Sequence, residues 1–239
     1  MSIANYIRNR EDMGGFTVGQ WMNMREIINH QEDYSDEWDT TVNWYDARLQ
    51  KRYFEPMKRI ELNAQGEGFS LATIHCSIIE HFASMVQGKV FNINCNEHSP
   101  SYEYKFSGSH FKNFIETYDP FREYFNSLTS ATSMFSSADF YSNVRCALLH
   151  NACTKNNWRI NTMSCGYANP EMKIMILESS GVKRLYRDVL TSKLGEFLQT
   201  YKHNLKENRT LRLYFARCID TICEIQPDPN NFSWWNDEV

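Results

Sequence analysis

Apolar and polar positions along the chain alternate mainly with the period of a helix. From Thr41 to about Leu62, Val42, Tyr45, Leu49, Tyr53, Met57 and Ile60 recur three or four residues apart, with Pro56 expected to kink or divide the span. The clearest helix is predicted over Phe69–Val90, where Leu71, Ile74, Ile78, Phe82, Met85 and Val86 form one stripe, with Gly66 and Gly68 before it and Gly88 near its end. A looser stretch around Asn94–Ser101 precedes two shorter helical pieces, His110–Tyr118 and Phe121–Leu128. Ser137 to about Cys153 reads as a further helix. Ser136 or Ser137 can cap it, Asp139 lies near its positive end, and Tyr141, Val144 and Leu148 form its buried line.

The period then changes. Trp158–Met163 and Met172–Leu177 predict two short strands around a turn containing Gly166, Asn169 and Pro170. Two more helices, about Val182–Lys202 and Arg209–Cys223, follow. The tail holds Pro227, Pro229, Trp234 and Trp235. The expected architecture is all-α in the main, a bundle of four to five helices with a small β-hairpin inserted near 157–178. No repeat, low-complexity tract or linker divides the chain. It is read as one domain over 1–239, with a core of about 41–223, an N-terminal extension 1–40 and a C-terminal tail 224–239.

Composition supports a packed core, with 42% hydrophobic and 14% aromatic residues. No apolar run reaches the roughly 18 residues of a bilayer span, and the start, Met1 to Arg10, lacks the apolar stretch of a secretory signal. A cytoplasmic protein without a membrane partner is expected, which leaves the sequons at Asn208 and Asn231 without meaning. Seven cysteines (Cys76, Cys95, Cys146, Cys153, Cys165, Cys218, Cys223) show no C-x-x-C spacing, so reduced thiols, mostly small core residues, are expected rather than disulfides or a zinc ribbon.

A net charge of −4 argues against coating nucleic acid by bulk electrostatics. Charge is nevertheless segregated. Six acids and no base fall between Gln31 and Asp46, and nine bases against three acids fall between Gly181 and Arg217. Two faces that attract each other, or a basic wall for a polyanion, both fit this pattern.

Several chemistries lack their motif. There is no phosphate-binding G-x-x-x-x-G-K-[ST] and no G-x-S-x-G elbow, while Gly66-Glu67-Gly68 follows no strand and so makes a poor dinucleotide turn. His75 and His81 are six residues apart, roughly 240° around a helix, which reads as core or boundary histidines rather than metal ligands. No E-x-x-H pair of a dimetal bundle occurs. Neither a metal nor another cofactor is called for.

What remains is Arg-x-x-x-x-His, which occurs twice, at Arg25/His30 and at Arg145/His150. Context favours the second. It rides on an amphipathic helix flanked by polar Asn143, Asn151 and Lys155. Glu80 can serve as an orienting carboxylate and Lys155 as a phosphate contact. Trp158 reads as a core or dimer residue before a base-stacking platform.

The stretch Val144–Ala152, followed by Thr154–Trp158, resembles the R-x4-6-H signature of HEPN domains (higher eukaryote and prokaryote nucleotide-binding). It is especially similar to bacterial members reading R-C-G-L-L-H, with Ala147 in place of the glycine. The resemblance implies a helical bundle that forms a homodimer, with both signature helices lining one cleft. It further implies a metal-independent endoribonuclease of toxin–antitoxin, CRISPR-associated or other anti-phage systems, with Arg145 and His150 catalytic and an antitoxin or sensor protein as possible partner. A non-catalytic module binding nucleotide, RNA or protein is the alternative.

The side chains suit the chemistry. Histidine titrates near neutrality and can move the 2′-hydroxyl proton, and arginine's planar fork suits a phosphorane. On one helix, positions i and i+5 lie about 140° and about 7.5 Å apart, so a two-fold pair of helices is needed to surround one phosphate. Arg145 as an interface salt-bridge residue and His150 as a helix C-terminal cation fit the same sequence.

Overall fold

The computed structural model describes residues 8–61, 66–125, 135–162 and 174–237. It is mainly helical with small sheets. Its contacts divide the chain into two compact units, one of Met1–Pro56, Ser84–Lys105 and Thr200–Val239, the other of Met57–Ala83 and Phe106–Gln199.

The first unit contains helices α1 (Val18–Ile28) and α2 (Asp36–Leu49). Thr17 and Gln20 form a reciprocal capping box on α1. Ser35 caps α2, where Asp36, Glu37 and Asp39 complement the dipole. A π-helical turn, Gln50–Phe54, continues α2 into α3 (Glu55–Glu61). Pro56 therefore neither breaks nor ends the helix. The wider turn just before it lets the Glu55 N–H reach Gln50 O, and the proline ring follows where the regular ladder is already relaxed. The extra residue also slips the buried face. Leu49 is followed by Phe54 and Met57 inside, and the expected Tyr53 is only half-buried.

Helix α4 (Gly68–Gln87) contributes residues to both units. Two short parallel strands, β1 (Val90–Phe91) and β2 (Glu103–Tyr104), come next in the first unit. Gly88, with φ +61°, turns the chain out of α4 where an added Cβ would overlap the Tyr214 ring. By length and composition α4 is apolar enough to span a bilayer, which corrects the expectation that no segment is. More than half of it is buried inside the fold, as in the core helix of a globular protein.

The regions read as an extension and a tail are built into the first unit. Asp220 on α10 (Arg209–Ile222) is fully buried and accepts from Trp21 Nε1 at 2.7 Å, Arg25 Nη2 at 2.7 Å, and Trp234 Nε1 and Trp235 Nε1 at 2.8 Å each. Arg217 donates to the carbonyls of Gly88 and Trp234, both at 2.6 Å. The segregated charges meet here too. Lys202 pairs with Asp46 at 2.5 Å, Lys206 with Asp39 at 3.7 Å, and Arg212 donates to the Glu32 carbonyl. Two of the nine bases, Lys202 and Lys206, thus pair with acids of that run.

The second unit has an aromatic core of Phe82, Phe111, Phe114, Phe121, Phe140, Phe197 and Trp158. Phe197 sits 4.9 Å from Phe82 and 4.8 Å from Phe114. Helices α5 (Gly108–Thr117) and α6 (Arg122–Phe125) supply part of it. The segment with the Arg-x-x-x-x-His sequence is α7 (Ser137–Phe140), a second π-helical turn (Tyr141–Cys146) and α8 (Ala147–Asn151), closed by Ala152 in the left-handed conformation.

The strands pair differently from the expected hairpin. β3 (Trp158–Asn161) and β4 (Ile176–Ser179) do not pair with each other; both flank β5 (Val182–Tyr186), in the order β3-β5-β4. The β3–β5 pairing is parallel and the β4–β5 pairing is a hairpin across Ser180-Gly181. The run Val182–Tyr186, expected at the start of a helix, finds two strand partners. Helix α9 (Arg187–Glu207) therefore begins five residues later than predicted. The expected turn residues Gly166, Asn169 and Pro170, and also Cys165, lie outside the described residues.

Candidate functional site

Three elements of the second unit hold Arg145. Its Nη2 donates to Glu80 Oε2 at 2.6 Å and its Nε to the same oxygen at 3.2 Å, from the middle of α4. Ser107, immediately before α5, lies 3.5 Å from Nη2. Tyr141, one turn earlier on the same segment, places its ring 5.4 Å from the guanidinium carbon and its hydroxyl 3.2 Å from Ser107 Oγ. Burial acts against the charged guanidinium, but the hydrogen bonds and charge of Glu80 outweigh it and raise the Arg145 pKa. Cys76 lies next to this cluster on α4, and burial pushes its thiol up to about 12, so it is not a reactive thiolate.

Local sequence accounts for the posture of the segment. Ser136 caps α7 by accepting from the Asp139 N–H, while Ser137 turns to Glu116. Asp139 is more than a dipole partner. Its carboxylate accepts from Asn143 at 2.8 Å, Asn156 at 2.6 Å, Trp158 Nε1 at 2.8 Å and Lys183 at 2.6 Å, which fastens the segment to β3 and β5. Although burial disfavours the charge, Lys183, Trp158 and Asn156 hold its pKa below the ordinary value. The π turn ends at Cys146, so Arg145 leaves from the wide turn and His150 from the regular helix beyond it.

The expected residues are distributed as follows. Arg145 and Glu80 meet directly. His150 and Asn151 are exposed at the end of α8, and among the described residues His150 makes no hydrogen bond to Arg145. Lys155 is exposed, and its backbone N–H donates to the Asn143 carbonyl at 2.9 Å. The Asn143 side chain is committed to Asp139. Trp158 is fully buried against Phe140 at 5.4 Å, a core residue.

The second pair of the same spacing differs. Arg25 is buried on Asp220 and against the Phe232 ring at 3.5 Å, a structural role, and His30 is exposed. His75 is buried and hydrogen-bonded to Thr191 at 2.8 Å, and half-buried His81 packs against Phe82. Among the described residues no three His, Cys, Asp or Glu side chains gather as a metal site.

Sequence reasoning did not find Ser107 or the Asp139 hub. Tyr141 was read as part of the buried line and is instead half-buried against Arg145, four residues on, a spacing that could have signalled the contact. Ser107 lies 38 residues away in sequence and carries no local signal. Compared with protein-family models, curated proteins and solved structures, the chain matches none.

Proposed function

We propose that this chain is a metal-independent endoribonuclease of the HEPN kind, acting in the cytoplasm in a bacterial toxin or anti-phage system. The observation that carries this reading is the Arg145 guanidinium, fixed in place by Glu80 on α4 in the same helical segment that exposes His150 five residues later. Within one copy the two groups diverge, so the reading requires a homodimer. Two large apolar side chains near the site favour one: Phe106, 78% exposed and adjacent to Ser107, and Leu149, 48% exposed and adjacent to His150.

In the reaction an imidazole takes the 2′-hydroxyl proton as the 2′ oxygen bonds to phosphorus. The bond from phosphorus to the 5′ oxygen breaks, and a second imidazole protonates the leaving oxygen. Arg145 stabilises the charge on the phosphorane. The products are a 2′,3′-cyclic phosphate and a 5′-hydroxyl.

The test incubates purified wild type and His150→Ala with RNA in EDTA and examines the product ends. Wild type is expected to cleave and the variant to lose at least ~100-fold in rate with its fold and dimer intact. An unchanged rate in His150→Ala refutes the proposal.

One observation favours a second reading, a non-catalytic module that binds nucleotide, RNA or protein. Glu80 already occupies two donors of the Arg145 guanidinium and neutralises its charge. Under that reading wild type cleaves nothing and Arg145→Ala weakens ligand binding. Growth arrest by wild type that His150→Ala relieves counts against it.

A further inference from the structure

A second feature of the same unit is not used by the cleavage chemistry. A cavity of about 290 Å³ is lined by Gly66, Gly68, Phe69, Ile160, Thr162 and Arg187. Arg187 is 5% exposed, a cation withdrawn from water. It stands at the first turn of α4, with one Nη 3.8 Å from where a Cβ on Gly68 would lie. That is the unfavourable end of the dipole of a 20-residue helix for a positive charge. The first helical hydrogen bond of α4 runs from Leu71 N to Glu67 O, so the N–H groups of Gly68, Phe69 and Ser70 have no intrahelical acceptor.

The counter-charge at hand is loosely engaged. Glu67 Oε2 lies 3.9 Å from the guanidinium, beyond a hydrogen bond, and this buried oxygen has no hydrogen-bond partner. Two other arginine–carboxylate pairs close fully, Arg145–Glu80 at 2.6 Å and Arg25–Asp220 at 2.7 Å. A buried guanidinium and a helix N-terminus thus face a cavity of ligand size, beside a carboxylate that hydrogen-bonds to neither.

We propose that this cavity binds a phosphate oxyanion, held by Arg187 and the first N–H groups of α4, with Phe69 and Ile160 against the sugar or base attached to it. Gly68 leaves room for Ile160 and Arg187 beside the backbone, since a Cβ there would lie 3.2 Å from the Ile160 side chain. The phosphate is not the scissile one. Twelve residues of α4 separate Gly68 from Glu80, roughly 18 Å of helix. The occupant is a distal phosphate of the RNA strand, an assignment that rests on the RNA-cleavage reading, whereas the oxyanion site does not.

The test uses calorimetric titration, which needs no cleavage. The probes are inorganic phosphate, uridine 5′-monophosphate, uncharged uridine and a ten-nucleotide RNA made uncleavable by 2′-O-methylation. Wild type is expected to bind the monophosphate and the RNA but not uridine. Glu67→Gln, which removes the competing carboxylate, is expected to bind the monophosphate about tenfold tighter. Arg187→Gln is expected to weaken it by at least about tenfold.

Failure of folded Glu67→Gln to bind any phosphate probe overturns the site, as does undiminished binding by folded Arg187→Gln. Should Arg187→Gln not fold, Glu67→Gln decides alone. RNA that binds no tighter than the monophosphate overturns the RNA assignment. Loss of the cleavage reading would instead appear as uncut RNA in EDTA with these titrations unaffected.

Discussion

The ion pair between Glu80 and Arg145 is the hinge of the functional reading, and its strength can be worked from its surroundings. The two side chains are 21% and 17% exposed, and two guanidinium nitrogens reach one carboxylate oxygen. An exposed pair of this kind contributes up to about 1 kcal/mol, whereas a fully buried charge that loses its partner costs about 3–5 kcal/mol. About a fifth of each side chain still meets water, so a coupling of about 2 kcal/mol is expected. The assay is a double-mutant cycle of wild type, Glu80→Ala, Arg145→Ala and the double variant, each unfolded in urea. A coupling below about 0.5 kcal/mol would refute the geometry on which the site is built. Glu80→Gln, which keeps the shape and removes the charge, adds a functional readout. If Arg145 must be held in place for the phosphorane, kcat falls by at least about tenfold. Normal cleavage by this variant alongside an intact coupling would reduce Arg145 to a structural cation.

Three further outcomes are expected. Asp220→Ala leaves the Arg25 guanidinium and three indole N–H groups buried without their acceptor; it should destabilise the protein by at least about 3 kcal/mol, measured by urea denaturation, and a loss under 1 kcal/mol would contradict the hub. Burial, reinforced by Arg187, lowers the His75 pKa to about 3. Above pH 6.5 it is neutral folded and unfolded; below that the unfolded chain takes up a proton the folded one cannot, so stability falls with pH. Between about pH 8 and pH 5 about 2 kcal/mol should be lost, and His75→Gln should flatten that slope in urea midpoints measured across pH. Asp139→Ala releases the segment Ser137–Asn151 from Asn156, Trp158 and Lys183 and should speed amide exchange over it; exchange as slow as in wild type would show that packing alone holds the segment.

Several features were legible in the chain because they depend on neighbours close in sequence. The stripe of α4, the serine before α7 and the helical character of α10 each follow from side chains within one or two turns, and each is where the periodicity puts it. The mutual attraction of the acidic and basic runs was likewise readable as one of two options, and the Lys202–Asp46 contact shows that it operates within the chain. The two π turns were not legible. A one-residue insertion in a helix is decided by what packs on both sides, and its trace in the sequence, Leu49 followed by Phe54 instead of Tyr53, can be read only once the buried face is known. Val182–Tyr186 is ambiguous for the same reason, since a short segment becomes a strand only when partners such as β3 and β4 supply its hydrogen bonds.

The sequence by itself determined that this is a largely helical chain carrying Arg145 and His150 on one amphipathic segment, because helix period and motif spacing are local properties of the polymer. Spacing alone could not tell that pair from Arg25 and His30, and only the flanking residues favoured it. The tertiary structure gave the two pairs their different surroundings: Arg25 is sealed on Asp220, which also accepts from three tryptophans, while Arg145 is half-buried on Glu80 with His150 open to solvent. The physical reason is that a guanidinium's role is set by the charge and water around it, and those come from residues 195 positions away in the one case and 65 in the other.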